Sequence, residues 1–191
     1  SPTTTFDPNG WNYSGKDAND DFATNAASSN PYPIKSYKNY KQDLMILGIV
    51  DPDGGDEPGG TGSTNYAARA VELYVINDIP DLSKYGVGVA NNGGGTDGLE
   101  YSLDAVSASF GDDILIVRSV EAMSAYFEDC YSEFEIIMVA NSDISQNGDD
   151  AIELFQQGEG IIEVFGNANV DGTGQEWEYL DSWAYKVGDL W

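Results

Sequence analysis

Residues 147–185 read NGDDAIELFQQGEGIIEVFGNANVDGTGQEWEYLDSWAY, and this stretch decides the fold. Runs rich in β-branched and aromatic residues flank the polar segment 167–178, so we expect a strand on each side of a loop. The whole chain shares this character, because its 191 residues include 22 glycines and 12% aromatic residues. The sequence therefore predicts a β-rich protein.

Segment 167–178 has the residue spacing of a twelve-residue calcium loop. Oxygen-bearing residues fall at the ligand positions and glycine at the sharp turn; the candidate ligands are Asn167, Asn169, Asp171, Thr173 (through its carbonyl) and Glu178. Because the first position is Asn rather than Asp, the site should bind calcium weakly, as suits a calcium-rich extracellular medium. The alternative is an Asn/Asp/Gly turn that binds nothing.

A second acidic loop follows the short apolar run 44–50. It reads DPDGGDEPGGTGSTN, and Asp51, Asp53 and Asp56 are its candidate cation ligands. The alternative is a flexible Gly/Pro-rich turn.

The charge of the chain is unevenly distributed. Residues 1–41 contain four Lys and four Asp, so residues 42–191 carry the entire formal charge of −25. Such a surface repels phosphate backbones and anionic lipid, which argues against nucleic-acid binding. It suits the binding of cations or of a basic partner, or a high-salt medium. The alternative is that the charge only keeps the chain soluble. No apolar run approaches 20 residues, so we expect no membrane insertion.

Histidine is absent and Cys130 is the only cysteine. These facts exclude His/Cys zinc sites and Ser-His-Asp or Cys-His catalysis within the chain. In YFEDCYSEF, Cys130 is most simply a small core residue, although pairing with a second chain is an alternative.

Residues 1–41 are rich in Ser, Thr, Asn, Asp and Pro and predict an extended arm or linker, with one domain at 42–191. Basic and aromatic residues interleave at its end: Tyr32, Lys35, Tyr37, Lys38, Tyr40 and Lys41. This arm can remain disordered, dock on its own acidic body, or dock head-to-tail on a copy and build a filament or layer. Asn12 begins a glycosylation sequon, and the start at Ser1 fits a processed secreted chain.

Hydrophobic patterning predicts further elements in the domain. Short apolar or alternating runs at 44–50, 70–76, 114–120 and 135–143 predict strands. Residues 121–134 place Met123, Tyr126, Phe127 and Cys130 at helical spacing, which predicts one short helix.

Two segments resemble the lamin-tail-like domain of secreted and surface bacterial proteins. They are RAVELYVINDIPDLSKYGVGVANNGGG (69–95) and GDDAIELF through WEYLDSWAYK (148–186). The resemblance spans roughly residues 44–187 and implies an immunoglobulin-like β-sandwich, secreted or at the cell surface. It also implies an accessory role, because such domains are attached to secreted enzymes or large surface proteins and tether or bind.

Three functions follow from these observations. The first is a non-catalytic extracellular structural or adhesive module, stabilised by calcium and able to assemble with copies of itself through its arm. The second is a carbohydrate-binding module, with Trp177, Tyr179, Trp183 and Tyr185 stacking on glycans, unless these aromatic rows line the core. The third is a glycosidase with Glu153 and Glu178 as its carboxylate pair, which an acidic chain cannot specify by sequence.

Overall fold

The computed structural model describes residues 42–52 and 68–187, in which two β-sheets enclose one core. Numbered along the chain, the strands are β1 (Leu44–Asp51), β2 (Ala70–Val75), β3 (Tyr85–Ala90), β4 (Tyr101–Ser102), β5 (Asp113–Val117), β6 (Ile136–Val139), β7 (Ala151–Gln156), β8 (Gly160–Phe165) and β9 (Ser182–Tyr185). Helix α1 (Val120–Phe127) leads into a 3-10 helix (Glu128–Glu133). The structure confirms the predicted class, an all-β sandwich with one short helix.

The strand order is β6-β5-β2-β1-β9 in one sheet and β4-β3-β7-β8 in the other. Paired strands are antiparallel except β5 and β6, which run parallel. A parallel pair needs a crossover, and α1 provides it on the outer face of the five-stranded sheet. Ala122 and Met123 are buried there in a cluster with Leu115 and Val117.

Alternating residues of both sheets form the main core. Ile46, Leu73 and Ile114 from one sheet join Val87 and Leu154 from the other in one buried cluster. This alternation confirms the strands predicted at 44–50 and 70–76. The strands predicted at 114–120 and 135–143 are present but shorter than expected.

The predicted helix ends early. At Glu128 the backbone φ is +52°, a left-handed value that breaks the α-helix, and a 3-10 helix follows. Helical spacing is lost beyond this point, so Cys130 is exposed and its assignment to the core is wrong. Within the described residues, no helix is long and apolar enough to cross a membrane.

The Glu163 side chain links the two sheets at one edge of the sandwich. Strand β9 pairs with β1 only from Gly48 to Asp51, which leaves the start of β1 without a neighbouring strand on that side. The Glu163 carboxylate accepts there from the Ile46 amide at 2.8 Å and also contacts the Lys186 ammonium group. A charged side chain thus satisfies a backbone donor that the sheet does not pair.

A buried ion pair joins β1 to β2. Arg69 Nε lies 2.9 Å from Asp51 Oδ1, both residues are 4% exposed, and Arg69 also donates to the Ser145 carbonyl at 3.2 Å. Asp51 is therefore the last residue of a strand, rather than part of the predicted acidic loop, and its carboxylate is occupied by Arg69. Asp53 and Asp56 lie outside the described residues, as do residues 1–41.

We expect Arg69→Ala to lower the free energy of unfolding by about 3–5 kcal/mol, because it leaves the Asp51 carboxylate buried without its counterion. Urea denaturation followed by circular dichroism measures the loss. The double variant Arg69→Met with Asp51→Leu removes both charges and should recover most of it. A double variant as unstable as Arg69→Ala would contradict the explanation.

Candidate functional site

The loop predicted to bind calcium passes from one sheet to the other. Strand β8 belongs to the four-stranded sheet and β9 to the five-stranded sheet, so segment 167–178 does not close a hairpin. The run WEY at 177–179 is irregular, with Trp177 in a turn, rather than the strand expected after the loop, and β9 begins only at Ser182.

The predicted calcium ligands are exposed and take part in local hydrogen bonds. Asn167 Oδ1 accepts from the Asn169 amide at 3.0 Å, and Asp171 Oδ1 from the Thr173 amide at 2.9 Å. Glu178 accepts from the Gly174 amide at 2.8 Å. The hydrogen bonds from Thr173 hold the pKa of Asp171 below its usual value.

These bonds are those of the alternative turn interpretation, in which side chains stabilise the loop's own backbone. Across 42–52 and 68–187, no three Asp, Glu, Cys or His residues are grouped for a metal ion. Calcium binding by the loop stays a prediction.

Hydrogen bonds connect three loops at the end of the sandwich that carries segment 167–178. The Gly95 amide donates to the Ala168 carbonyl at 2.8 Å, and the Gly172 amide to the Asp149 carbonyl at 2.9 Å. The Asp149 carboxylate accepts from the Thr173 hydroxyl at 2.9 Å. Segment 167–178 is thus held by the loop before β7 and by the loop after β3.

Asp150 is the buried centre of this arrangement. Its carboxylate accepts from the amides of Asn92, at 2.7 Å, and Asn147, at 3.0 Å. Its carbonyl accepts from the Tyr179 hydroxyl at 3.1 Å. Burial raises the pKa of Asp150, although these amides and Arg69 oppose the shift. The GDDAIELF motif contains Asp150, but the site prediction missed it because two of its three partners, Asn92 and Tyr179, are distant in sequence.

The two candidate glycosidase carboxylates have different surroundings. Glu153 is 1% exposed and accepts from the Thr96 hydroxyl at 2.6 Å, beneath the loop that follows β3. Glu178 is exposed in the 167–178 loop. Burial leaves Glu153 no approach for a substrate, so the structure does not present this pair as a cleft.

The four candidate stacking aromatics divide into two pairs. Tyr179 is 2% exposed in the core, and Trp177 is half-buried with its ring perpendicular to Phe165 at 6.0 Å. Trp183 and Tyr185 are 62% and 48% exposed. The core interpretation therefore holds for the first pair, and only Trp183 and Tyr185, hereafter the aromatic platform, can stack on a ligand.

Strand register defines what lies beside the platform. Tyr185 pairs with Gly48, which pairs with Glu72, so these three form one row across the outer face of the five-stranded sheet. A Cβ on Gly48 would lie 2.6 Å from Glu72 Oε2 and 3.5 Å from the Tyr185 ring. Glycine thus leaves space for a carboxylate beside an exposed aromatic ring. Trp183 lies in the next row, opposite Val50.

Glu72 is an unusual carboxyl group. Burial raises its pKa to about 7, and the nearby Asp113 carboxylate adds to the shift. The pKa of Asp113 is also raised, by burial and by the carboxylates of Glu135 and Asp112. The pKa of Tyr185 rises through burial and through the charges of Glu72 and Asp113. The platform therefore borders a carboxyl group that is half protonated near neutral pH.

Other predicted site residues, Asn12, Tyr32, Lys35, Tyr37, Lys38, Tyr40 and Lys41, belong to the arm and lie outside the described residues. Their proposed roles in glycosylation and assembly stay predictions.

The chain was compared with protein-family models, with curated proteins and with solved structures, and nothing matches it. The lamin-tail-like resemblance therefore continues to rest on its sequence motifs.

Glu72 makes stability depend on pH. Its folded pKa exceeds the ordinary value of 4.5, so the folded state binds more protons than the unfolded state between pH 4.5 and 7. The free energy of unfolding should fall as pH rises through this window and then level off. We expect Glu72→Gln to reduce this slope, to which the raised pKa values of Asp113 and Asp150 also contribute. The variant should gain about 1–2 kcal/mol over the parent at pH 8, a value discounted because solvent screens part of the effect.

Urea denaturation from pH 4 to pH 8 measures this slope. The exposed Glu133→Gln is the matched control and should keep the slope of the parent. Identical profiles for Glu72→Gln and the parent would refute the assignment.

Proposed function

We propose that this chain is a non-catalytic adhesive module that recognises glycans through the aromatic platform. The observation that carries this proposal is the exposure of Trp183 and Tyr185 on one face of an edge strand. Large exposed aromatic side chains lose favourable burial, so their presence side by side suggests a ligand surface.

The local chemistry suits a sugar. Residues two apart on a strand point the same way and lie about 7 Å apart, so the two rings can cover adjacent sugar units. Glu72, in the row of Tyr185, offers a carboxyl group to sugar hydroxyls, and Gly48 leaves access to it. The acidity of the surrounding body favours neutral or basic glycans over acidic ones.

A non-catalytic role is supported by the residue types present and by the burial of Glu153. Secretion or surface display is supported by the lamin-tail-like motifs at 69–95 and 148–186. We place the module outside the cell on this basis, as an accessory part that tethers rather than converts its ligand. In this setting the Lys-rich end of the arm, residues 32–41, can link copies head-to-tail, as its charge opposite to that of the body suggests.

We also propose that calcium stabilises segment 167–178 and the acidic residues beside it. Residues 42–191 carry a charge of −25, and the 167–178 loop and its neighbours contribute Asp149, Asp171 and Glu178. The candidate ligands offer carboxylate, amide and carbonyl oxygens, which is the donor set that calcium takes. Asn167, Asn169 and the Thr173 carbonyl complete the proposed ligands.

Trp183→Ala should weaken glycan binding about tenfold, because one stacking surface is lost. Pull-down on cellulose, chitin and xylan, followed by calorimetry with oligosaccharides of the polymer that binds, measures the effect. Phe110→Ala is the matched control, since Phe110 is 66% exposed on the turn before β5, where its ring contacts Tyr74 and is not part of the platform. Failure of the parent to bind any polymer, or equal loss in the control, would rule out the platform.

Calcium at 100 times its dissociation constant should add about 2.7 kcal/mol to the free energy of unfolding. Thermal unfolding of the full chain, with calcium and with a chelator, measures this gain. We expect Asp171→Asn to abolish it and Glu159→Gln, the same charge change on the β7–β8 turn at the other end of the sandwich, to retain it. If calcium leaves the melting temperature of the parent unchanged, segment 167–178 is a turn that does not bind calcium.

A further inference from the structure

A cavity of about 310 Å³ opens at the end of the four-stranded sheet where β7 turns into β8, away from the aromatic platform. Gly86 and Phe155, which pair between β3 and β7, line one side of it. Leu99 and Ser102 line a second side. A Cβ on Gly86 would come within 2.3 Å of Leu99, so glycine is needed for this wall to lie against the sheet.

Lys84 lines this cavity, and its side-chain interactions differ from those of the other basic residues in the described part of the sandwich. Arg69 and Lys186 pair with carboxylates, and Arg118 donates to the Ile144 carbonyl. Lys84 is exposed and makes no ion pair with any residue in the described ranges, although carboxylates abound.

The Lys84 backbone is fixed beside the cavity. Its carbonyl accepts from the Gln157 amide at 2.7 Å, which joins it to the β7–β8 turn. Lys84 ends a short 3-10 helix, Leu82–Lys84, and the Asp81 carboxylate that caps this helix accepts from the Ser83 amide and hydroxyl. Lys84 therefore offers a positive charge to whatever enters the cavity.

We propose that this cavity binds a sugar acid, that is, a ring with one carboxylate and several hydroxyls. Lys84 pairs with the carboxylate, Ser102 and Gln157 offer hydrogen bonds to hydroxyls, and Leu99 and Phe155 contact the apolar face of the ring. The volume lies at the small end of ligand pockets, which fits a single ring.

Acidic residues also lie near the cavity. Glu159 falls between the lining residues Gly158 and Gly160. Hydrogen bonds from Ser83, together with the charge of Lys84, lower the pKa of Asp81. The ligand carboxylate therefore has to contact Lys84 directly, while charges beyond about 8 Å are largely screened at physiological ionic strength.

The test is a titration of the isotope-labelled full chain, followed by amide chemical shifts, with glucuronate, glucose and acetate as probes. We expect glucuronate to shift the amides around Lys84, Ser102 and Gln157, and to bind at least about tenfold more tightly than glucose or acetate. Lys84→Gln should weaken glucuronate binding about tenfold, and Lys84→Arg should retain it.

Two further variants separate this site from others. Ser102→Phe should fill the cavity and abolish the shifts, whereas the matched exposed change Ser182→Phe on β9 should not. Trp183→Ala should leave glucuronate binding intact, so this site and the aromatic platform succeed or fail independently. Equal binding of acetate and glucuronate, an absence of shifts in the parent, or normal affinity in Lys84→Gln would each overturn the proposal.

Discussion

The buried pair of Arg69 and Asp51 is the constraint on which the arrangement of the sandwich depends. It fixes the end of β1 to the start of β2, and the same guanidinium group binds the Ser145 carbonyl in the segment that leads into β7. One side chain thus connects the two sheets. A charge in this position is stable only because its partners are all present, so loss of one partner is destabilising whereas replacement of both by apolar residues can be nearly neutral.

At the end of the sandwich that carries segment 167–178, buried backbone groups also depend on specific polar partners. Asp150 and Tyr179 supply polar partners to segments that belong to no sheet, and Tyr179 also donates its amide to the Gly148 carbonyl. Buried irregular backbone needs such partners, since strands cannot provide them. Rigid loops result, and the acidic side chains on them have fixed positions even where they bind nothing but neighbouring amides.

Different segments of the chain cover the outer faces of the two sheets. Helix α1 covers part of the five-stranded sheet, and β9 at its edge remains exposed with Trp183 and Tyr185. On the other sheet, the chain from Gly98 to Ser102 lies over Gly86 and Gly88 and leaves the cavity beside Lys84. Candidate ligand surfaces therefore arise where covering segments end. Their chemistry differs, because one displays aromatic rings beside carboxyl groups and the other a lysine.

The sequence by itself determined the strands at 44–50 and 70–76, the short helix and the all-β class, because alternation and helical spacing report which side chains are buried locally. Only tertiary structure decided that β8 and β9 belong to different sheets, since strand pairing is non-local. It also separated Tyr179 from Trp183: both follow the same alternating pattern, but a turn at Asp181, with φ of +53°, resets the pattern between them. Periodicity predicts burial only within an unbroken element, so the exposed platform, the loop contacts of Asp150 and the cavity at Lys84 required the assembled fold.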